Sequence, residues 1–257
     1  MQPILEARGI CKSFGALRAV QDLTFSVNAG EILGMIGPNG AGKTTAVNLI
    51  SGTARPDAGE VRLAGERVTG MAAHRLVRRG LVRTFQSTTV YGERTVWQNI
   101  YRGTFTQSYT GFWSSVMGGA AYRHQRERTV ERVERLLADL RLDDVRDTQA
   151  RHLPYGRQKA LGIAVALASA PKLVLLDEPA AGLSAEEADR VAEIIKKVRE
   201  TEVSVVVIDH NMRFIAQLCH RVVVLHHGAE LCIGTPREVT SNPLVIEAYL
   251  GADHEPA

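Results

Sequence analysis

Cysteine, aromatic side chains and long apolar runs are all scarce in this sequence, and each shortage removes a class of protein. The three cysteines, Cys11, Cys219 and Cys232, are odd in number and form no C-x-x-C pair, which argues for reduced, packed thiols over a disulfide framework or a structural zinc. No run of eighteen apolar residues occurs, and the first residues lack the apolar core of an export signal. The expectation is a chain that neither spans a bilayer nor is secreted, with the cytoplasm as its default address. Charge is nearly balanced, 31 Lys and Arg against 28 Asp and Glu for a net +3, and that surplus is too small to point to a nucleic acid partner. Adjacent His226 and His227 invite a metal reading, but neighbours on a strand point to opposite faces and do not readily share one ion. Aromatics make up 5% of the chain, yet nine of the fourteen fall between Phe85 and Tyr122. Such a cluster serves either as a contact surface or as the private core of a small helical subdomain.

The 257 residues, 45% hydrophobic and 23% charged, suffice for one large domain or a domain with a subdomain, and no repeat or low-complexity linker divides them. The stretch from Ile32 to Thr45 organises the rest. It reads Ile-Leu-Gly-Met-Ile, then Gly37-Pro38-Asn39-Gly40-Ala41-Gly42-Lys43-Thr44-Thr45: an apolar strand, a glycine-rich turn and the opening of a helix. Glycines let successive N–H groups converge on one centre, and the helix adds its positive end to the same spot. That is a cradle for phosphates. Lys43 can reach the β- and γ-phosphates, and the Thr44 hydroxyl is placed to ligate Mg²⁺.

On either side the pattern is α/β. From Ile4 to Leu33 short alternating runs broken by Gly9, Gly15 and Asn28-Ala-Gly30 predict antiparallel strands beside the phosphate-binding core. Helices are expected near 42–51, 72–79 and 123–142, the last with Val130, Val133, Leu137 and Leu140 on one stripe. In the C-terminal half, runs at 172–176 and 203–208 alternate with a helix opened by the capping box Ser184-x-x-Glu187. A hairpin is predicted over 221–233, and two short helices start at Pro236 and Pro243. Such alternation implies helices covering a mainly parallel sheet.

Leu173-Val-Leu-Leu176 delivers Asp177 and Glu178 at its carboxyl end, where open α/β sheets place ligands. Asp177 would hold Mg²⁺ through its water shell, and Glu178 would polarise the water attacking the γ-phosphate. His210 follows the next apolar strand, where an imidazole either donates to the γ-phosphate or serves as a helix cap or core residue. Phe14 stands before the Gly15 turn as a purine-stacking ring or a strand-end core residue. Gln86, after Phe85, is a metal ligand, a water-orienting group or a polar strand end.

Phe14, the cradle, Phe85-Gln86, Leu153-Pro-Tyr-Gly156, Leu176-Asp-Glu178 and His210 together resemble, over essentially the whole chain, the ATP-binding subunits of ABC transporters. The resemblance implies an ABC ATPase fold: a P-loop NTPase core with a mainly parallel sheet, an N-terminal antiparallel β subdomain and an α-helical subdomain. A single domain would run over 1–257, with 1–86 holding the β subdomain and P-loop core, 87–165 the helical subdomain with the signature segment, and 166–257 the rest of the core. It further implies ATP and Mg²⁺ as cofactors, Phe14 as the adenine-stacking ring, Gln86 as the residue sensing Mg²⁺ and the membrane partner, and His210 as the switch histidine. Such subunits dimerise head to tail, so that each ATP lies between one P-loop and the partner's Leu-Ser-Gly-Gly-Gln segment, here around Gly156. The implied partners are a second ATPase subunit, two transmembrane permease subunits docked on the aromatic segment and, indirectly, a solute-binding protein, which places the chain on the cytoplasmic face of the cell membrane. Arg83-Thr-Phe-Gln86, Asp177-Glu-Pro-Ala-Ala-Gly-Leu183 and Val245-Ile-Glu-Ala-Tyr-Leu-Gly251 resemble more narrowly the branched-chain amino acid importer subgroup, which also handles urea, short amides and other amino-acid-like solutes. The alternatives are the lipopolysaccharide-export ATPases and, in another class, soluble ABC ATPases without membrane partners.

Three departures stand out. Pro154 replaces the family's serine, removing both a hydroxyl and an N–H, and Arg157 replaces the usual glutamine, as a compensating cation or a solvated one. With its own Lys43, Glu178 and His210 intact, the chain is expected to work beside a different ATPase subunit that supplies a complete segment, with a homodimer as the alternative. Ser184 stands where the family usually has aspartate, and its capping box gives a local reason.

Overall fold

The computed structural model describes residues 3–84, 90–106 and 120–252. It falls into two compact units, Met1–Arg83 with Lys172–Ala257, and Thr84–Pro171.

The first unit contains two sheets. Strands β1 (Pro3–Phe14), β2 (Leu17–Asn28), β4 (Ala58–Leu63) and β5 (Glu66–Arg67) form an antiparallel sheet in the order β2-β1-β4-β5. Gly9 does not end a strand as its type suggested. β1 continues through it, with the register slipping between Ala7 and Ile10, because a glycine at φ 57° absorbs the extra residue of a bulge. The second sheet has the order β10-β9-β3-β8-β7-β6, from β3 (Ile32–Ile36), β6 (Leu81–Thr84), β7 (Leu173–Asp177), β8 (Ser204–Ile208), β9 (Arg221–His226) and β10 (Ala229–Gly234). β3 is parallel to both β8 and β9, β7 is parallel to β8, and β9 pairs with β10 as the expected antiparallel hairpin. All five residues of β3, β7 and β8 are buried, as an apolar strand covered on both faces requires.

Helix α1 (Lys43–Ile50) lies in the apolar layer between the sheets. Its Val47 and Ile50 share one cluster with Leu5, Leu23 and Phe25 of the antiparallel sheet and with Met35, Leu175 and Val206 of the parallel one. The glycine-rich turn is thereby carried on a helix that both sheets hold.

In the second unit, helices α3 (Val96–Gly103), α4 (Ala120–Asp139) and α5 (Tyr155–Ala168) pack on one another, the short α2 (Ala73–Arg78) belonging to the first unit. Val133, Leu137 and Leu140 of the predicted stripe are buried. The buried Asn99 side chain accepts the Tyr91 amide at 2.8 Å and donates to the carbonyls of Tyr91, Arg94 and Thr95 at 3.1, 3.2 and 2.9 Å. One amide group thus satisfies the irregular backbone ahead of α3, an economy that buried polar atoms demand. Trp97 stacks on Tyr101 with centroids 4.9 Å apart and Tyr101 meets Phe105 edge-on at 5.3 Å, a ladder at helical spacing. Tyr91 and Phe105 remain exposed, so this part of the aromatic segment is not simply a private core. Phe85, Gln86, Tyr109, Phe112 and Trp113 lie outside the described residues.

The capping box predicted at Ser184 forms, and the structure adds a second at Thr235. Ser184 and Glu187 bond reciprocally at 3.0 and 3.3 Å ahead of α6 (Ala185–Glu200). Thr235 and Glu238 do the same for α8 (Pro236–Ser241), while Asn211 caps α7 (Met212–Leu218) and α9 (Pro243–Ala252) follows.

Candidate active site

Parallel pairing fixes where the chemistry gathers. Asp177 is in register with Ile208, and Ile208 with Met35, so β7, β8 and β3 end in one row and the loops leaving them share one edge of the sheet. The loop after β3 is the glycine-rich cradle, that after β7 begins with Glu178, and that after β8 holds Asp209 and His210.

The cradle's shape depends on two glycines. Gly37 has φ 153° and Gly42 φ 97°. A Cβ at Gly37 would stand 2.2 Å from the Leu225 carbonyl oxygen, and one at Gly42 2.4 Å from that of Ala19. Any side chain at either point would therefore push the loop off β9 and β2. Further ties run from the Gly228 amide to the Ala41 carbonyl at 3.0 Å and from the Gln21 amide to the Gly228 carbonyl at 2.7 Å. Gly42 is the N-cap of α1 and supplies no capping side chain, which leaves the helix's first N–H groups to an anion.

Lys43 donates from Nζ to the carbonyls of Gly37 at 2.6 Å and Pro38 at 2.9 Å. Partial burial lowers the pKa of its ammonium from the usual lysine value, and the nearby Glu178 carboxylate works in the opposite direction. Thr44 is exposed beside it. Glu178 sits at φ 48°, a left-handed conformation that costs a non-glycine residue on the order of 1–3 kcal/mol. Its amide donates to the Ile208 carbonyl at 2.8 Å, and this bond across the two strand ends holds the strained turn. The Glu178 Oε1 lies 4.0 Å from His210 Nδ1, with the histidine side chain 64% exposed. His210 is therefore neither core nor cap, the capping role falling to Asn211.

Phe14 ends β1 with 55% of its surface exposed and Lys12 Nζ 5.6 Å from its ring centre. It does not serve the core. Gly156 is the second residue of α5 in the other unit, and Gln86 falls outside the described residues. Pro154 is the N-cap of α5 and makes no side-chain capping bond. Arg157 is engaged by Asp144 at 2.7 Å, which removes it as an idle cation. The His226 and His227 rings are 4.0 Å apart, closer than strand alternation predicts, because β9 ends at His226 and His227 turns to φ 49°.

Two residues given no role from sequence prove central. Arg83 meets Asp177 in a buried ion pair at 2.7 Å, and Asp209 accepts the amides of Ala180 and Asn211. An acid inside Ile-Asp-His-Asn and an arginine on a short apolar strand were the available signals.

A glycine-rich cradle, a strained glutamate beside a histidine and an aspartate at the same sheet edge gather the parts that a nucleoside triphosphatase needs. The chain belongs to the ABC transporter family, whose model matches residues 20–181. A second model, for the branched-chain amino acid ATP-binding cassette transporter, matches residues 231–255, the stretch that holds most of β10 and all of α8 and α9. The chain is 37% identical over 251 residues to the high-affinity branched-chain amino acid transport ATP-binding protein BraF of Pseudomonas aeruginosa, covering 97% of this chain and 98% of that one. It is 35% identical, with the same coverage, to LivG of Salmonella typhimurium, which has the same description. Among solved structures, an ATP-binding cassette of an ABC transporter in its ADP conformation superposes with a TM-score of 0.86 at 29% identity, covering 98% of this chain and all of the other. The protein binds and hydrolyses ATP in coupling to transport.

Proposed function

We propose that this chain energises uptake of branched-chain amino acids, or of a related small amino-acid-like solute, as a peripheral subunit on the cytoplasmic face of the membrane beside two permease subunits. The match of residues 231–255 to the branched-chain model supports that reading over lipopolysaccharide export. Among the described residues no helix is long and apolar enough to cross a membrane, which is in keeping with a translocation path formed by other chains. The exposed Tyr91 and Phe105 favour the aromatic segment as the docking surface.

At the site, the backbone of Gly37 to Thr45 cradles the triphosphate, with Lys43 exchanging its two loop carbonyls for phosphate oxygens and Phe14 stacking on adenine. Thr44 and Asp177 present a hydroxyl and a carboxylate, the hard oxygen donors that suit Mg²⁺, with Gln86 as a further ligand. When bound, that ion neutralises charge on the β- and γ-phosphates. Glu178 is the base that orients and polarises the attacking water, and His210 contacts the γ-phosphate. The single observation that carries the assignment is Glu178 held in a left-handed turn between Lys43 and His210. Glu178→Gln should lower hydrolysis by about 10²- to 10⁴-fold while ATP stays bound. Unchanged turnover in that variant would remove Glu178 from the role.

Pro154 supports a working heterodimer in which a different ATPase subunit supplies the complete signature segment. A solute-binding protein would feed the permeases from the opposite side.

A further inference from the structure

We propose that Arg83 is a positioning residue for the metal-dependent step: it sets the orientation of the Asp177 carboxylate and its spacing from the Thr44 hydroxyl. The proposal rests on the assignment of Asp177 and Thr44 to Mg²⁺.

Arg83 lies on the short strand β6, and its side chain and that of Asp177 are 8% and 7% exposed. Taking a guanidinium and a carboxylate out of water is costly, and a well-packed apolar pair of the same volume is often as stable or more so. Packing alone therefore gives no reason for this pair, on a strand whose first residue is the buried Leu81. What the pair provides is geometry. Nη2 of Arg83 donates to Asp177 Oδ2 at 2.7 Å, while Nη1 donates to Asn48 Oδ1 at 2.6 Å and to Ser51 Oγ at 3.3 Å. One planar, rigid fork thus joins the end of β7 to helix α1.

The face of α1 that it grips is significant. Thr44, Asn48 and Ser51 are spaced i, i+4, i+7, so they form one stripe of the helix. The hydroxyl assigned to the metal and the two groups braced by Arg83 thus share a face. Ser51 is the C-cap of α1, the end at which a helix favours a cation. With Oδ2 of Asp177 held by Arg83 at 2.7 Å, the carboxylate cannot rotate without breaking the fork, and its other oxygen would face the metal's hydration shell from a fixed position. Groups that orient a metal-holding side chain are typically worth about 10- to 100-fold in metal affinity.

The test is Mn²⁺ affinity of the complex with a non-hydrolysable ATP analogue, read by electron paramagnetic resonance, together with analogue affinity in EDTA and thermal stability. Arg83→Met should weaken Mn²⁺ by about 10-fold or more and leave metal-free nucleotide affinity within about twofold, and Arg83→Lys, which keeps the charge but loses the fork, should fall between. If Arg83→Met does not fold, Asn48→Ala keeps the ion pair but loosens its second anchor, and should move Mn²⁺ affinity in the same direction by less. Wild-type Mn²⁺ affinity in the folded variants, with only stability lowered, would make Arg83 a structural brace and overturn the proposal. Asp177→Asn separates the two levels. If it weakens Mn²⁺ and the Arg83 and Asn48 variants do not, this inference alone fails; if it has no effect either, the metal assignment fails and the inference with it.

Discussion

The carboxylate of Asp209 accepts the backbone amide of Ala180 at 3.0 Å through one oxygen and that of Asn211 at 2.9 Å through the other. This buried side chain binds the turn that carries Glu178 to the turn that carries His210. Together with the bond from the Glu178 amide to Ile208 it makes the two loops one body. A substitution here should therefore alter chemistry as well as stability.

Asparagine retains a single acceptor oxygen and would set its NH₂ against one of the two amides. Asp209→Asn should thus leave a buried N–H without an acceptor, at about 1–3 kcal/mol, and lower kcat with little change in the ATP concentration needed for half-saturation. Urea denaturation and steady-state ATPase assays measure both. A fall in stability with kcat intact would show that the linkage only holds the fold.

Pro154 leaves α5 without a side-chain cap at the end the family reserves for the partner's γ-phosphate. In Pro154→Ser, the capping gain of about 1 kcal/mol is largely offset by about 0.4–1 kcal/mol of extra freedom in the unfolded chain. The melting temperature should barely move. Turnover of the isolated chain should rise by about 10²-fold, the usual worth of one preorganised donor. Robust hydrolysis by the unaltered isolated chain, close to that of its complex with another ATPase subunit, would overturn the heterodimer.

Lys43 gives a pH signature. Its burial places loss of the ammonium charge below the usual lysine value of 10.5, so the alkaline limb of kcat/KM, which reports the free enzyme, should fall below that pH. Bound phosphates restore the charged form, so the limb of kcat should lie higher. Linkage to folding has its own sign: above the folded pKa and below the unfolded one, the unfolded chain holds the extra proton, and this group's contribution to stability rises with pH and is lost as pH falls. A kcat/KM limb at or above 10.5 would contradict the desolvated lysine.

All three cysteines are free thiols, and burial pushes that of Cys219 up to about 12, aided by Asp209 and Glu31. Alkylation at pH 8 should spare Cys219 in the folded protein and reach it only on unfolding, because the thiolate is the reactive form. Cys232, also raised but half-open to solvent, should react slowly. Mass spectrometry of alkylated protein reads both, and labelling of native Cys219 would refute its burial.

The elements most legible in the sequence were those whose reason is local. The strand-turn-helix at Ile32 to Thr45, the box at Ser184, the Pro236 and Pro243 helix starts and the apolar runs of β7 and β8 all carry their cause within a few residues. Gly9 and the histidine pair misled for the same reason. A bulge in β1 and a left-handed His227 depend on what the chain meets afterwards, which alternation does not encode.

Sequence alone determined the parts of this protein: a nucleotide-binding turn, two acids at the end of a strand, a histidine after the next and a proline in place of a serine, each set by residue chemistry at short spacing. Tertiary structure alone decided their alliances. Arg83 finds Asp177 across 94 positions of chain, and Asp209 meets Ala180 across 29, because parallel strands bring their carboxyl ends together only when the sheet is assembled. Contacts of that kind follow from register and packing, which no local pattern in the sequence specifies.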